Sequence, residues 1–419
     1  MQIDPLSDGA ATAQPRPMSD ERPSPQAGEL PARLGHILCL DDFERAASRH
    51  LPKPVFAYIS GAVERNYSLR ANAAAFDRYE FVPRMLVGTS ARSTATTLFG
   101  KRWSAPFGMA PMGICALSAY RGDLVLAQAA ANENVPMIMS GSSLIRMEEI
   151  AQANPHAWFQ AYLPGAEDEI VALIERVKAA GYGTLVLTLD ASIASNRENN
   201  IRAGFSTPLR PSARLAWQGL THPRWLLGTF LQTLLRHGMP HFENNHSRRG
   251  APILSANVLR DFSDRGHLGW KHIRMIRAMW PGRLVLKDIL DERDAQLALD
   301  HGADGLIVSN HGGRQLDGTV SPLRVLPAIV NASPDVPVMI DSGFRRGTDV
   351  LKALALGAAF VFIGRPFNYA AAVAGEAGVR KGITPLRDEV SRNMAMLGVS
   401  QIGDTRTARL LATPAESQT

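Results

Sequence analysis

The chain has 419 residues, 45% hydrophobic and 20% charged, the composition of a soluble globular protein with a sizeable core. A formal charge of +6 and a pI near 9.5 fit nucleic acid, an anionic membrane surface or acidic substrates, but no Lys/Arg run with interleaved aromatics marks a nucleic-acid face. Two cysteines, Cys39 and Cys115, build no disulfide framework and lack metal-ligand spacing; free thiols in a reducing cytoplasm, and no metal centre, are expected.

Residues 1–34 are rich in Pro, Ser, Ala and Gln and lack the apolar run of a signal peptide, so a disordered tail is expected. Nowhere does the chain hold roughly 18 consecutive uncharged apolar residues, which argues against a spanning helix. Residues 35–104 are expected to form a helical segment packing on a barrel built from residues 105–400. Across that longer stretch, short apolar runs alternate with amphipathic ones. Strands are expected at 106–110, 135–139, 157–162, 184–190, 284–287, 305–309, 336–341 and 359–364. Asp291 can cap a helix that Gly302 closes, and Thr348 or Asp349 can start another that stops at Gly357. Eight β-then-α units predict an α/β fold, a (β/α)₈ TIM barrel. A doubly wound open sheet is the alternative, but no G-x-G-x-x-G follows any strand. One connection is interrupted: an insertion at 203–266 follows the fourth strand, too long for an ordinary loop. Residues 401–419 are expected to form a C-terminal tail.

In a barrel, the groups able to meet a substrate sit at the C-terminal ends of strands and just beyond. Those positions hold Gly113, Ser140, Gln160, Tyr162, Thr188, Asp190, Arg197, Lys287, Ser309, His311, Arg314, Asp341, Arg345 and Arg365. Polar groups therefore converge at one end of otherwise apolar strands. After the last two strands, Asp341-Ser342-Gly343-Phe344-Arg345-Arg346-Gly347 and Gly364-Arg365-Pro366 combine glycines, a helix start and arginines, as a phosphate site requires. His311 stands in Ser309-Asn310-His311-Gly312-Gly313-Arg314-Gln315, with an arginine three residues on. Asp190 can bond its second ring nitrogen. Base, orienting carboxylate and substrate-gripping cation are what proton abstraction from a hydroxy acid needs. Lys287 ends an apolar strand and needs a partner; a flavin edge that turns anionic on reduction is one, and a Schiff base is the competing reading.

These motifs resemble the FMN-dependent 2-hydroxy-acid dehydrogenase/oxidase family, over about residues 51–398 and most densely at 309–316, 340–358 and 362–366. The resemblance implies FMN as cofactor. It sets Pro111, Met112 and Gly113 beside the flavin ring and puts Ser140, Gln160, Thr188 and Lys287 in hydrogen bonds to it, with Ser309 also on the cofactor side. It implies Gly343, Arg345, Gly364 and Arg365 on the phosphate and Asp341 on the ribityl chain. It assigns Tyr58, Arg197 and Arg314 to the substrate carboxylate, Tyr162 to the hydroxyl, His311 to the base and Asp190 to its partner. Tyr58 alone would otherwise read as core. The implied chemistry is loss of the Cα proton to His311, with two electrons passing to FMN. Two departures stand out: Asp288 follows Lys287 where the family usually has Gly, and Gly113 stands where several oxidases carry Ala, which favours an acceptor other than O₂.

Within the insertion, Trp217, His222-Pro223-Arg224-Trp225 and Arg236–Pro240 resemble the membrane-associating segment of mandelate and lactate dehydrogenases. Trp and Leu lie beside Arg210, Arg214, Arg224 and Arg236, with only Glu243 against them. Peripheral docking through 207–240 on an anionic lipid surface, at the inner face of the cell membrane, is expected, with a quinone-type electron acceptor; an active-site lid or an oligomer contact is the alternative. The resemblance further implies a homotetramer. Competing functions are a soluble oxidase making H₂O₂, a flavin-binding barrel without 2-hydroxy-acid turnover and a non-flavin aldolase using Lys287.

Overall fold

The computed structural model describes residues 34–207, 209–255 and 265–412; the N-terminal stretch expected as a tail lies almost wholly outside them. Eight parallel strands form the centre: β1 (Phe107–Met109), β2 (Ile138–Ser140), β3 (Trp158–Ala161), β4 (Thr184–Thr188), β5 (Arg283–Ile289), β6 (Gly305–Val308), β7 (Val338–Ile340) and β8 (Phe360–Ile363). Each pairs with its successor from β2 to β8, β8 returns to β1, and a parallel bridge between Met109 and Met137 completes the ring. All eight predicted strands are present, each within a few residues of its expected bounds.

Strand alternation explains where the polar groups go. Side chains on a strand point to opposite faces in turn. Leu185, Leu187, Leu284 and Leu286 pack outward among the helices, whereas Trp158, Val186, Val285, Ile307, Met339, Phe360 and Phe362 belong to the separate cluster that fills the barrel. Continuing the inward parity by two residues reaches Gln160, Thr188, Lys287, Ser309, Asp341 and Gly364. The sequence that fills the barrel with hydrocarbon thus lines its C-terminal mouth with hydrogen-bonding groups.

Helix ends follow the sequence signals. Asp291 accepts a hydrogen bond from the Arg293 N–H at 2.8 Å and starts helix Glu292–Asp300, and Gly302 follows in the left-handed region. Helix Gly347–Ala355 starts slightly earlier than Thr348, since the Asp349 carboxylate reaches back to the N–H groups of Arg345 and Arg346, both at 2.9 Å.

Two expectations need correction. Residues 35–104 are only partly helical: after Leu40–His50, Lys53–Ser60 and Tyr67–Ala74 come three short strands. Of these, Thr96–Leu98 and Lys101–Trp103 form a hairpin whose Phe99 ring lies 5.5 Å from Trp158 and 5.0 Å from the Arg283 guanidinium, covering the N-terminal end of the barrel. The segment from 401 is not simply a tail either. A 3₁₀ turn, Ile402–Thr407, leads into strand Arg409–Ala412, which pairs antiparallel with Tyr79–Val82.

Helix Glu198–Ala203 leads into the insertion, which carries helix Ala213–Leu220 and a continuous helical run from Pro223 to His237 with a π turn at Leu226–Leu231. The two insertion tryptophans divide their work. Trp225 is 5% exposed and its indole N–H donates to the Leu117 carbonyl at 2.8 Å, so it ties the insertion to the barrel and is not available to lipid. Trp217 is 63% exposed, with Leu220, Leu227 and Leu235 also exposed. Glu243 does not pair with Arg210, Arg214, Arg224 or Arg236: it is buried and takes a hydrogen bond from Arg249 at 2.8 Å.

Candidate active site

A cavity of about 600 Å³ opens at the C-terminal mouth of the barrel. Its wall includes Tyr58, Pro111, Met112, Gly113, Tyr162, Thr188, Arg197, Lys287, His311, Arg314, Asp341, Gly343, Arg345, Gly364 and Arg365. Ser140, Gln160 and Ser309 are buried behind it, and Asp190 sits behind His311. The structure therefore gathers every sequence-predicted site residue around one space.

His311 has φ +56, held where its backbone N–H donates to Ser309 Oγ at 2.9 Å. Nδ1 lies 3.0 Å from Asp190 Oδ1, and Nε2 lies 3.4 Å from the Tyr162 hydroxyl. Burial, and then the Lys287 charge, pushes the imidazole pKa down to about 3, so the ring is neutral at physiological pH. Burial raises Asp190 to about 6 although Lys287 opposes it. A neutral ring with Nε2 toward the cavity and a carboxylate on Nδ1 is a base ready to be supported as imidazolium.

Two guanidinium groups stand beside it. Arg197 donates through Nε to Ser195 Oγ at 3.0 Å and through Nη2 to Gln315 Oε1 at 3.0 Å. Arg314 donates through Nη1 to the carbonyls of Tyr58 (2.7 Å) and Gly61 (3.0 Å), and its guanidinium lies 5.0 Å from the Tyr58 ring. Burial, then repulsion from Arg197, lowers Arg314 to about 9, which still leaves it charged at neutral pH. Among the described residues neither arginine makes an ion pair with a carboxylate. Two half-buried cations beside one cavity repel each other without an anion between them, so the pair defines an anion site.

The deeper part of the mouth suits a flavin. Gln160 is wholly buried and its Oε1 accepts from Ser140 Oγ at 3.1 Å, yet its Nε2 has no hydrogen-bond partner among the described residues. An orphaned buried amide donor asks for an acceptor. Lys287 Nζ donates to Ser309 Oγ at 2.8 Å, fixing an ammonium at the same depth. At the other end Gly343 has φ +91, and a Cβ there would meet the Asn72 carbonyl oxygen at 2.9 Å, so only glycine keeps this loop close. Arg365 donates to the carbonyls of Ile59, Gly61 and Gly312, which leaves its Nη1 outside those bonds. Ring donors, a buried cation and a glycine-arginine cradle fit FMN, with Asp341 between them.

Sequence reasoning missed two supporting residues. Gln315 receives Arg197 and donates to the Asp190 carbonyl at 3.0 Å, coupling the anion site to the base; its place directly after Arg314 was the only hint. Phe205, from the insertion, stacks on Tyr58 at 4.6 Å and so fixes the tyrosine that local sequence presents as core.

Comparison with known proteins agrees with this geometry. A family model described as FMN-dependent dehydrogenase matches residues 47–412. The chain is 37% identical to a Pseudomonas putida (S)-mandelate dehydrogenase over 88% of this chain and 92% of that protein. It is 39% identical to an Ectopseudomonas mendocina L-lactate dehydrogenase over 87% and 96%. Among solved structures, a monotopic membrane protein, (S)-mandelate dehydrogenase, superposes with a TM-score of 0.81 at 34% identity, covering 90% of this chain and all of the other. A mandelate oxidase superposes with a TM-score of 0.74 at 33% identity, covering 90% and 99%. The chain belongs to the FMN-dependent dehydrogenase family, and FMN is the cofactor its barrel mouth is built to hold.

Proposed function

We propose that this enzyme oxidises a small L-2-hydroxy acid, of lactate or mandelate type, to the 2-oxo acid. The observation that carries the proposal is the pair of half-buried guanidinium groups of Arg197 and Arg314, without a carboxylate partner among the described residues, beside a neutral His311 backed by Asp190. The carboxylate is held between the arginines, with Tyr58 alongside. That anchorage turns the substrate hydroxyl toward Tyr162 and Cα toward His311 Nε2, which removes the Cα proton while Asp190 holds Nδ1–H and stabilises the imidazolium. Gln160, Lys287 and the cradle of Gly343, Arg345, Gly364 and Arg365 would hold FMN, which would supply the acceptor for the two electrons and the hydroxyl proton. Anaerobic mixing of the holoenzyme with L-2-hydroxy acids tests this: loss of flavin absorbance at about 450 nm is expected, and an unchanged spectrum across lactate, mandelate and longer acids contradicts it.

The acceptor and the location belong to the same proposal. The final electron acceptor would be of quinone type, and the enzyme, a homotetramer, docks peripherally at the inner face of the cell membrane. Support comes from the exposed Trp217, Leu220, Leu227 and Leu235 among exposed Arg210, Arg214, Arg224 and Arg236, and from the likeness to a monotopic membrane protein. Among the described residues no helix is long and apolar enough to cross a membrane. A Cβ on Gly113 would come within 3.1 Å of the Tyr58 hydroxyl and of Ser142 Cβ, so an oxidase-type alanine fits poorly here. The enzyme is expected to pellet with vesicles containing anionic lipid at low salt, and Trp217→Ser to weaken that pelleting. No pelleting, or peroxide formed in air at the rate of turnover, contradicts this part.

A further inference from the structure

Strand β5 does not end cleanly. Its pairing with β6 shifts register between Lys287 and Ile289, leaving Asp288 as the extra residue of a bulge with φ +78. Glycine adopts this conformation freely, whereas an aspartate there is a local cost that surrounding contacts must offset. The bulge cancels the strand's alternation, so Asp288 shares the side of its neighbour. Its carboxylate is 1% exposed and accepts from Lys287 Nζ at 2.7 Å. Asp341 lies 3.3 Å from the same ammonium. Oxygens of Asp190 and Asp288 and a ring nitrogen of His311 all lie within 4.8 Å of one another.

One buried lysine therefore faces three carboxylates. Burial pulls the Lys287 pKa down, but Asp288, Asp341 and Asp190 outweigh it and hold the group above its ordinary range. Asp288 is itself raised to about 6 by burial and by Asp190, and is ionised above that pH. Its second oxygen is buried without a hydrogen-bond partner among the described residues, an arrangement that packing alone does not require.

We propose that Asp288 is a positioning residue that acts through Lys287: it draws the ammonium away from the cofactor edge and adds a fixed negative charge, making FMN in this enzyme a weaker electron acceptor than FMN beside an uncompensated lysine. This rests on the assignment of Lys287 to FMN. A less oxidising flavin accepts electrons from substrate less readily and yields them to the next carrier more readily. Its fold-level cause is the one-residue bulge, which lets the side chain reach Lys287 from within the strand.

The test uses holoenzyme at a pH where Asp288 is ionised, with sulfite as probe, because sulfite adds to oxidised flavin and leaves negative charge on it. Asp288→Asn keeps the size and tolerates the left-handed backbone, and Asp288→Gly matches it. Both variants are expected to bind sulfite about tenfold or more tightly than the native enzyme and to raise the flavin midpoint potential. Lys287→Met is expected to move both readouts the other way. A structural role alone would alter FMN content or melting, not move potential and sulfite affinity together in opposite senses for the two sites. Sulfite affinity within about twofold of native in both Asp288 variants, with Lys287→Met still weakening it, overturns the proposal alone. Unchanged affinity in Lys287→Met removes the assignment of Lys287 to the flavin, and the proposal with it.

Discussion

His311→Gln is expected to lower the rate of flavin reduction by roughly 10²- to 10⁴-fold while FMN content stays that of the native protein. Glutamine fills similar space but cannot accept the proton at Nε2. The loss should appear in single-turnover reduction, because the deleted group acts only as the substrate is oxidised. Rapid-mixing absorbance measures it; reduction at the native rate would remove His311 from the role of base. The same geometry sets the pH dependence. Protonation of Asp190, whose pKa burial raises to about 6, removes the charge that supports the imidazolium. Activity should therefore fall as pH drops through about 6, and not near 3, where burial and the Lys287 charge place the His311 imidazole. Because Asp288 also titrates at about 6 and lies against Asp190, this limb belongs to the pair.

Arg197→Met should lower kcat/KM by roughly 10²- to 10³-fold, with a large part of the loss in KM, since truncating one member of a buried charged contact costs about 2–5 kcal/mol. Arg197 is the cleaner of the two arginines to remove. Arg314 also ties helix Lys53–Ser60 to the barrel through the Tyr58 and Gly61 carbonyls, so its loss would mix binding with structure. Steady-state kinetics on a 2-hydroxy acid, and on the corresponding neutral diol, separate the effects. The variant should lose its preference for the acid, and equal losses on acid and diol would deny Arg197 its carboxylate.

The barrel was legible because its strands are buried on both faces. Parallel strands of that kind read as short continuous apolar runs, and their polar residues accumulate at the C-terminal ends, where Gln160, Thr188, Lys287 and Asp341 stand. His311 and Arg314 were legible for a different reason: glycines around them mark a loop that carries chemistry, not packing. What failed to show depended on partners distant in sequence. Strand Arg409–Ala412 has little pattern of its own and exists because Tyr79–Val82 offers an edge. Trp217 and Trp225 look alike in sequence, and contacts such as the Leu117 carbonyl and the Phe230 ring beside Trp225 separate the buried one from the exposed one. Tyr58 sits on a short apolar helix; Phe205 and Arg314, which give it a place in the mouth, come from other segments.

Asp288 lies between these cases. The residue was visible as a charge next to Lys287, but its consequence comes from a register shift that no local pattern announces. An aspartate one residue past an inward lysine would ordinarily point outward, and the bulge reverses that.

The most direct measurement is a crystal structure of the holoenzyme with a 2-oxo acid bound. It should show the ligand carboxylate between the Arg197 and Arg314 guanidinium groups, its 2-oxygen toward Tyr162 and His311, and the flavin ring over Gln160 and Lys287. A ligand carboxylate held elsewhere, or His311 turned away from a flavin seated in the mouth, would contradict the account.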